Sequence, residues 1–192
     1  MSYERARALM NRGPSRPTLY EVQLPVFGRS REYLKFFCQT TAIPSVSVQT
    51  TTANGQEYQG IVREQPLAVV YGKPFTMTII ENKDFGVYKD LRGWFDSCAV
   101  NANPTQISRT QRMNYYETFV RDMTLTKLEN GGSVFGPGYD RPLSVTFFSA
   151  FPVSIGQISL GSDQYDTSTT YEISFSYESY NVSYNTILDR FL

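Results

Sequence analysis

The chain contains no histidine among its 192 residues and only two cysteines. Histidine is the commonest general base and the commonest metal ligand, so its absence removes the usual equipment of hydrolases and of metal sites. Cys38 and Cys98 stand far apart and form no CxxC spacing, which argues against a zinc site and a disulfide framework. We therefore expect no metal, no cofactor and two thiols that pack in the interior, in a cytoplasmic setting.

Charge is also scarce. Charged residues make up 19% of the chain, and 18 Lys plus Arg balance 18 Asp plus Glu, so the formal net charge is zero. A general nucleic-acid binder would be basic, because phosphate contacts supply most of its affinity. No window approaches the ~18 apolar residues of a membrane span, and the first residues lack the apolar region of a signal peptide. We expect neither export by a signal peptide nor a membrane partner.

Aromatic residues, by contrast, are abundant, with 14 Tyr and 13 Phe. The chain is long enough for one sizeable core and one domain, and many of its apolar residues recur at every second position, as in β-strands. In residues 169–180, Tyr171, Ile173, Phe175 and Tyr177 alternate with polar side chains. Further strands are predicted at 18–27, 33–40, 46–52, 67–71, 75–80, 115–128 and 143–151, and the first two of these segments are expected to pair as a hairpin.

One stretch changes to the helical period. Between residues 84 and 99, apolar residues follow the i, i+4, i+7, i+8, i+11 spacing of an amphipathic helix, and Asp84 is placed to cap its start. These residues are Val87, Leu91, Trp94, Phe95 and Cys98. The predicted fold class is mainly β: an antiparallel β-sandwich or partial barrel of six to eight strands with one flanking α-helix.

No pattern typical of catalysis accompanies these elements. A Ser or Cys nucleophile needs a positioned base, and the sequence has no histidine to supply one. The glycine-rich residues 130–138 match neither the P-loop motif nor the glycine motif of dinucleotide-binding folds. Glu172 and Glu178 share a strand face but lie roughly 20 Å apart at strand rise, too far for a glycosidase pair. Two alternatives to a structural protein stay open, an enzyme that uses carboxylates alone and a monomeric carbohydrate- or peptide-binding β-sandwich with exposed tyrosines.

Four blocks in a fixed order resemble the inner tail tube protein of contractile-tailed bacteriophages. They are SRPTLYEVQL at 15–24, FFCQTTAIPSVSV at 36–48 with its turn Cys38, Thr41, Ala42, Ile43, Pro44, FTMTIIENKD at 75–84 leading into WFD at 94–96, and the strand at 169–180. The resemblance implies a structural, non-enzymatic virion protein, the major tube subunit, whose hexameric rings stack into a hollow conduit for DNA ejection. Within the resembled family, similar subunits build the inner tubes of bacteriocin-like particles and secretion systems, and tube-initiating baseplate proteins share the fold, so these identities stay open beside the major tube subunit.

The resemblance also implies partners. They are other copies of the chain, the tail sheath, baseplate and tail terminator proteins, and double-stranded DNA in transit without specific binding. The expected location is the virion tail tube, with the host cytoplasm during assembly. The implied domain map has an N-terminal arm at 1–17, a tail-tube domain at 18–180 and a C-terminal extension at 181–192. Within the domain lie a stacking loop at 46–67, the helix at 84–99 and an insertion loop at 130–142.

Two sets of site residues follow. An isolated sandwich exposes unpaired strand edges, and a ring would pair them with neighbouring subunits in a larger barrel. The expected inter-ring interface comprises Arg5, Arg7, Arg12, Val48, Tyr58, Ile61 and Val62. The expected lumen lining is the set of polar side chains that alternate with core residues, namely Thr76, Thr78, Asp122, Thr124, Thr126, Glu172, Ser174 and Ser176.

Overall fold

The computed structural model describes residues 15, 17–25, 38–53, 63–100, 112–129, 140–161 and 167–184. Its elements, in chain order, are β1 (Tyr20–Gln23), β2 (Cys38–Thr41), β3 (Val46–Ala53), β4 (Arg63–Tyr71), β5 (Phe75–Ile80), α1 (Gly86–Ser97), β6 (Ala99–Val100), β7 (Arg112–Met113), α2 (Tyr116–Phe119), β8 (Arg121–Glu129), β9 (Asp140–Ile155), β10 (Thr170–Ser176) and β11 (Ser179–Tyr184). The main sheet is antiparallel and open, which confirms the predicted mainly β fold class.

The long strand β9 organises the main sheet. One side of β9 pairs with β8, while its other side pairs first with β11 and then with β10. Strands β10 and β11 therefore follow β9 as one ribbon that is interrupted at residues 177–178. The sheet continues through β1 on the β8 side and through β5 and β2 on the β10 side. β9 is irregular at Ser149, which has a φ of 52°.

This irregularity divides the sheet into two parts that enclose the core. Sheet A consists of β1, β8, β11 and residues 140–150 of β9, and sheet B consists of β2, β5, β10 and residues 151–155. Phe147 of sheet A stacks on Phe75 of sheet B with ring centroids 4.7 Å apart. In the segments 75–80 and 169–180, every side chain predicted to face the core is buried, as the period-two pattern requires. They are Phe75, Met77, Ile79, Tyr171, Ile173, Phe175 and Tyr177.

Helix α1 flanks the core as predicted, with Val87, Leu91 and Trp94 buried. The predicted cap is wrong, because the first turn has no side-chain cap from a neighbouring residue. The buried Glu81 carboxylate instead accepts hydrogen bonds from the backbone N–H groups of Val87 at 3.2 Å and Tyr88 at 2.9 Å. A carboxylate at this end satisfies free N–H donors and favourably meets the helix dipole.

Several strand predictions also need correction. The predicted hairpin of 18–27 with 33–40 is wrong in the described part of both segments, because β1 pairs with β8 and β2 pairs with β5. These two strands instead meet at one side-chain hydrogen bond, from the Tyr20 hydroxyl to the Cys38 carbonyl at 2.9 Å. The segment 115–128 is not strand throughout, because it begins with the short helix α2 and continues as β8. Alternation of apolar residues shows which residues face the core but not which strand is the pairing partner. It also cannot distinguish a helix of a single turn from the strand that follows it.

The boundaries of three predicted segments change as well. Residues 140–142 belong to β9, so the predicted insertion loop at 130–142 ends earlier, and residues 130–139 lie outside the described part. β11 continues beyond residue 180 to Tyr184, so the first residues of the predicted C-terminal extension belong to the sheet. The strand count rises above the predicted six to eight, because β6 and β7 form an additional short pair and the predicted strand at 169–180 is divided between β10 and β11. Much of the predicted stacking loop at 46–67 is the hairpin of β3 and β4.

The role of the Glu81 carboxylate as the cap of α1 can be tested by substitution. The Tyr171 hydroxyl also donates to Glu81, at 3.0 Å, and burial followed by the Glu81 charge raises the pKa of Tyr171. Removing the carboxylate in Glu81→Ala leaves these donors unsatisfied in the interior, so the free energy of unfolding should fall by about 2–4 kcal/mol. Chemical denaturation measures this change. The exposed carboxylate variant Glu172→Ala is the control and should change stability by less than about 0.5 kcal/mol; an equally small effect at Glu81 would contradict the cap.

Candidate assembly surfaces

The hairpin of β3 and β4 is the most exposed element of the described chain. It is inserted between β2 and β5, which pair with each other in sheet B, so the hairpin continues this strand pair away from the core. Every described side chain from residue 46 to 52 and from 63 to 70 is exposed. An isolated two-stranded hairpin is marginally stable in water, so this one is suited to an additional contact.

One face of the hairpin carries an apolar stripe near its base. Val48 lies opposite Val69, and Val46 lies opposite Tyr71, so their side chains share a face. Leu67 is the extra residue at the register shift opposite Gln49 and Thr50, and it lies near Val69 on β4. The side chains of Val46, Val48, Leu67 and Val69 are more than half exposed, and only that of Tyr71 is less so. Contiguous apolar surface of this kind is typical of a protein interface.

The base of the hairpin is held against the ribbon of β10 and β11. The Tyr177 hydroxyl donates a hydrogen bond to the Gly72 carbonyl, and the Tyr180 hydroxyl donates to the Pro44 carbonyl at 3.1 Å. The rings of Tyr71 and Tyr180 meet edge to face with centroids 5.0 Å apart. Both chain connections into the hairpin are therefore tied to the same ribbon.

Two polar faces lie on opposite sides of the core. On sheet B, Thr78 pairs with Glu172 and Thr76 pairs with Ser174. On sheet A, strand pairing places two polar rows side by side, Gln23, Thr124, Thr146 and Asn181 in one and Glu21, Thr126, Ser144 and Ser183 in the other. The eight residues predicted for the lumen therefore divide between two faces, five on sheet B and three on sheet A.

One of these predicted residues is not at the surface. Thr126 is only 6% exposed, and its hydroxyl lies 3.4 Å from that of Ser144 in the neighbouring strand. The prediction that its side chain faces solvent is wrong, since strands on both sides and the neighbouring Glu21 cover it. Asp122 is exposed, and its carboxylate accepts a hydrogen bond from the Ser149 N–H at 3.1 Å.

The predicted inter-ring residues fall mostly outside the described part of the chain. Val48 is described, and it lies on the apolar stripe. The six others, Arg5, Arg7, Arg12, Tyr58, Ile61 and Val62, lie outside the described residues. Val46 and Leu67 also lie on the stripe; they bound the predicted stacking loop at 46–67 but were not among the individual residues predicted for the interface. Val69 lies outside that predicted loop, although the alternation of apolar residues within 67–71 indicated it.

The described residues contain no cluster of metal-ligating side chains. Within them, no group of three or more Cys, Asp or Glu side chains could hold a metal ion, and none of their helices has the length and apolar character of a membrane span. Both cysteines are free. Burial raises the pKa of Cys38 to about 11 and also raises that of Cys98, so both thiols are protonated at neutral pH.

An extended hairpin with an exposed apolar stripe, beside open sheet edges, is typical of a β-protein that associates with other chains. The sequence matches the family model described as "Phage tail tube protein" over residues 15–183. The chain belongs to the phage tail tube protein family. It is thus a structural tail component of a family that is not enzymatic, which excludes the carboxylate enzyme and the monomeric binding module as readings of its function.

Solved structures share the fold. A chain in the 6-fold symmetrised cryo-EM structure of the anti-feeding prophage (AFP) baseplate is 10% identical, with 88% of this chain and 95% of that chain covered and a TM-score of 0.58. A chain of the sheath-tube complex of an extracellular contractile injection system, PVC, is 12% identical, with 96% and 99% covered and a TM-score of 0.55. A chain of the PVC sheath/tube terminator is 14% identical, with 88% and 96% covered and a TM-score of 0.57. No curated protein matches the sequence.

The protonated state of the partly exposed Cys38 thiol can be tested by alkylation. Only the thiolate reacts, and with a pKa of about 11 the rate of iodoacetamide labelling should rise about tenfold with each pH unit between pH 7 and about 10. Mass spectrometry of peptides assigns the label to Cys38, and denatured protein supplies the unshifted reference rate. A rate that levels off near pH 8.5 in the folded protein would show an ordinary thiol and contradict this environment.

Proposed function

We propose that this tail tube protein forms six-membered rings that stack into a hollow conduit for DNA. The exposed β3–β4 hairpin is the observation that carries this proposal, because it leaves a large apolar stripe uncovered on a single subunit. The AFP baseplate neighbour comes from a 6-fold symmetrised assembly, which supports six as the ring number. A contact that closes after six copies gives a ring, and an axial contact that does not close gives a filament.

In this assembly the hairpin makes the ring-to-ring contact. Its stripe, of which Val46, Val48, Leu67 and Val69 are the most exposed members, would dock on a copy in the adjoining ring, where burial of apolar area drives association. Arg5, Arg7, Arg12, Tyr58, Ile61 and Val62 complete the proposed interface. The outer edges of β1, β2 and β11 have no strand partner among the described residues, and pairing with neighbours in the ring would complete a larger barrel.

The lumen is proposed to be lined by the outer face of sheet B. The hairpin continues β2 and β5, so sheet B is the wall that would run on from one ring to the next. The lining residues would be Thr76, Thr78, Glu172, Ser174 and Ser176. Hydroxyl groups and a carboxylate offer no cation to the phosphates of DNA, so the wall would bind passing DNA weakly. Asp122, Thr124 and Thr126 lie on sheet A, away from this wall.

Further partners follow from the assemblies in which the structural neighbours occur. Those chains come from a baseplate, a sheath-tube complex and a sheath/tube terminator. We propose that this subunit likewise meets sheath, baseplate and terminator proteins and that it resides in the tail tube of the virion after assembly in the host cytoplasm. The domain map that accompanies this proposal has an arm at 1–17 and a tube domain that extends through β11.

The role of the stripe is tested by Val48→Asp and Val69→Asp. Both side chains are exposed in the single subunit, so the free energy of unfolding should change by less than about 0.5 kcal/mol. A buried carboxylate in the ring-to-ring contact would abolish stacking. Sedimentation velocity and electron microscopy should therefore find no tubes at concentrations where the unmodified protein forms them. Ser47→Asp, on the opposite face of the same strand, is the control, and normal tubes from Val48→Asp would overturn this role.

The assignment of the lumen is tested by one lysine on each face. In phage carrying Glu172→Lys, every ring would present extra cations to DNA, so ejection should slow and its rate should recover at high salt. In phage carrying Asp122→Lys, the new cation would lie away from the bore, and ejection should be unchanged. Time-resolved DNA release from purified particles measures both. Slow ejection in the Asp122 variant with normal ejection in the Glu172 variant would assign the lumen to sheet A.

A further inference from the structure

The two chain connections at the base of the hairpin, here called the hinge, are held by hydrogen bonds of their own. The hairpin joins sheet B through two short connections, residues 42–45 and 72–74. The two connections run side by side where they leave the hairpin, and the Gly72 N–H donates to the Ser45 carbonyl at 2.8 Å. A Cβ at Gly72 would lie 2.6 Å from the Ser45 hydroxyl oxygen and 3.2 Å from its carbonyl oxygen. The absence of a side chain at Gly72 therefore allows the two connections to touch.

Each connection is held by one tyrosine hydroxyl. Tyr177 donates to the Gly72 carbonyl on one connection, and Tyr180 donates to the Pro44 carbonyl on the other. Burial raises the pKa of Tyr177, with the nearby Tyr180 and Tyr71 phenols raising it further, so its hydroxyl is a donor across the physiological range. The ammonium of Lys73 lies 5.6 Å from the centre of the Tyr177 ring, which adds a contact to the same connection.

Both tyrosines are themselves anchored in the core. The Phe147 ring lies 5.1 Å from the Tyr177 ring and 5.9 Å from the Tyr180 ring, centroid to centroid. A cleft of about 280 Å³ opens beside the hinge. This cleft is lined by Ala42, Pro44, Ser45, Gly72, Lys73, Pro74, Phe75 and Thr76. The hydroxyl groups thus hold the hinge to a rigid part of the molecule, next to space into which it could swing.

We propose that Tyr177 and Tyr180 are positioning residues for axial assembly, which fix the direction in which the hairpin leaves the domain. The proposal rests on the proposed role of the hairpin in stacking. A hairpin that is already aligned loses less conformational freedom when it docks, and pre-organisation of this kind strengthens binding without adding a contact. Loss of the two hydroxyls should therefore weaken stacking although neither tyrosine lies on the apolar stripe.

The test compares Tyr177→Phe, Tyr180→Phe and the double variant with Tyr171→Phe. All of them keep the ring and remove a hydroxyl from the β10 and β11 ribbon, but Tyr171 donates to Glu81 at the start of α1 and not to the hinge. The double hinge variant should need about tenfold to a hundredfold more protein to form tubes, as measured by sedimentation. Tyr171→Phe should lower the thermal midpoint and leave that concentration within about twofold of the unmodified value.

A second measurement follows the hinge without assembly. Spin labels are attached at Thr51→Cys in β3 and Ser154→Cys in β9. The background variant carries Cys38→Ser and Cys98→Ala, which remove the native thiols, and Val48→Asp, which prevents assembly. Pulsed electron paramagnetic resonance then measures the distance between the hairpin and the body of the domain. The distance distribution should broaden in the hinge variants and stay narrow with Tyr171→Phe. A narrow distribution in the double variant overturns the proposal, and so does a broadened one with unchanged tube formation. Normal tubes from Val48→Asp alone would instead overturn the role of the hairpin.

Discussion

The stacking of Phe147 against sheet B is the contact on which the rest of the subunit depends. Phe147 lies on β9, the strand that pairs with β8 and β11 in sheet A and with β10 in sheet B, and its ring meets Phe75 of β5 as well as Tyr177 and Tyr180. The same residue thus joins the two layers of the core and supports the tyrosines at the hinge. Because core packing tolerates little change in volume, the direction of the exposed hairpin is linked to the interior of the domain.

Residues that face the core could be predicted from the sequence, but strand pairing could not. Phe75, Met77 and Ile79 are buried as their period-two spacing indicates, and Trp94 is buried as the helical spacing indicates. These patterns record burial, which is a local property of each strand or helix. Pairing is a property of the whole sheet, so the pattern within 18–27 did not reveal that β1 would join β8. The Glu81 cap was missed for a similar reason, because its carboxylate acts on backbone groups several residues away.

The assembly surfaces were predictable in part. The order of four short motifs indicated the tail tube family, and the family match over residues 15–183 confirms it. Val48 was assigned to the inter-ring interface, which stays a prediction; in the single subunit its side chain is exposed. Period-two alternation identified polar faces but could not distinguish sheet A from sheet B, since each strand alternates in the same way on both. Nor could it show that Thr126 is covered, because this depends on Ser144 and Glu21 from other strands.

The ribbon of β10 and β11 has a mechanical consequence. It runs antiparallel to β9 over most of the length of that strand and carries the two tyrosines that hold the hairpin. When force acts along paired strands, all the hydrogen bonds between them bear the load together, whereas force across the strands opens them one after another. Any part of a pull on the hairpin that reaches the ribbon through the two tyrosine hydroxyls and acts parallel to it would therefore load the pairing with β9 in shear.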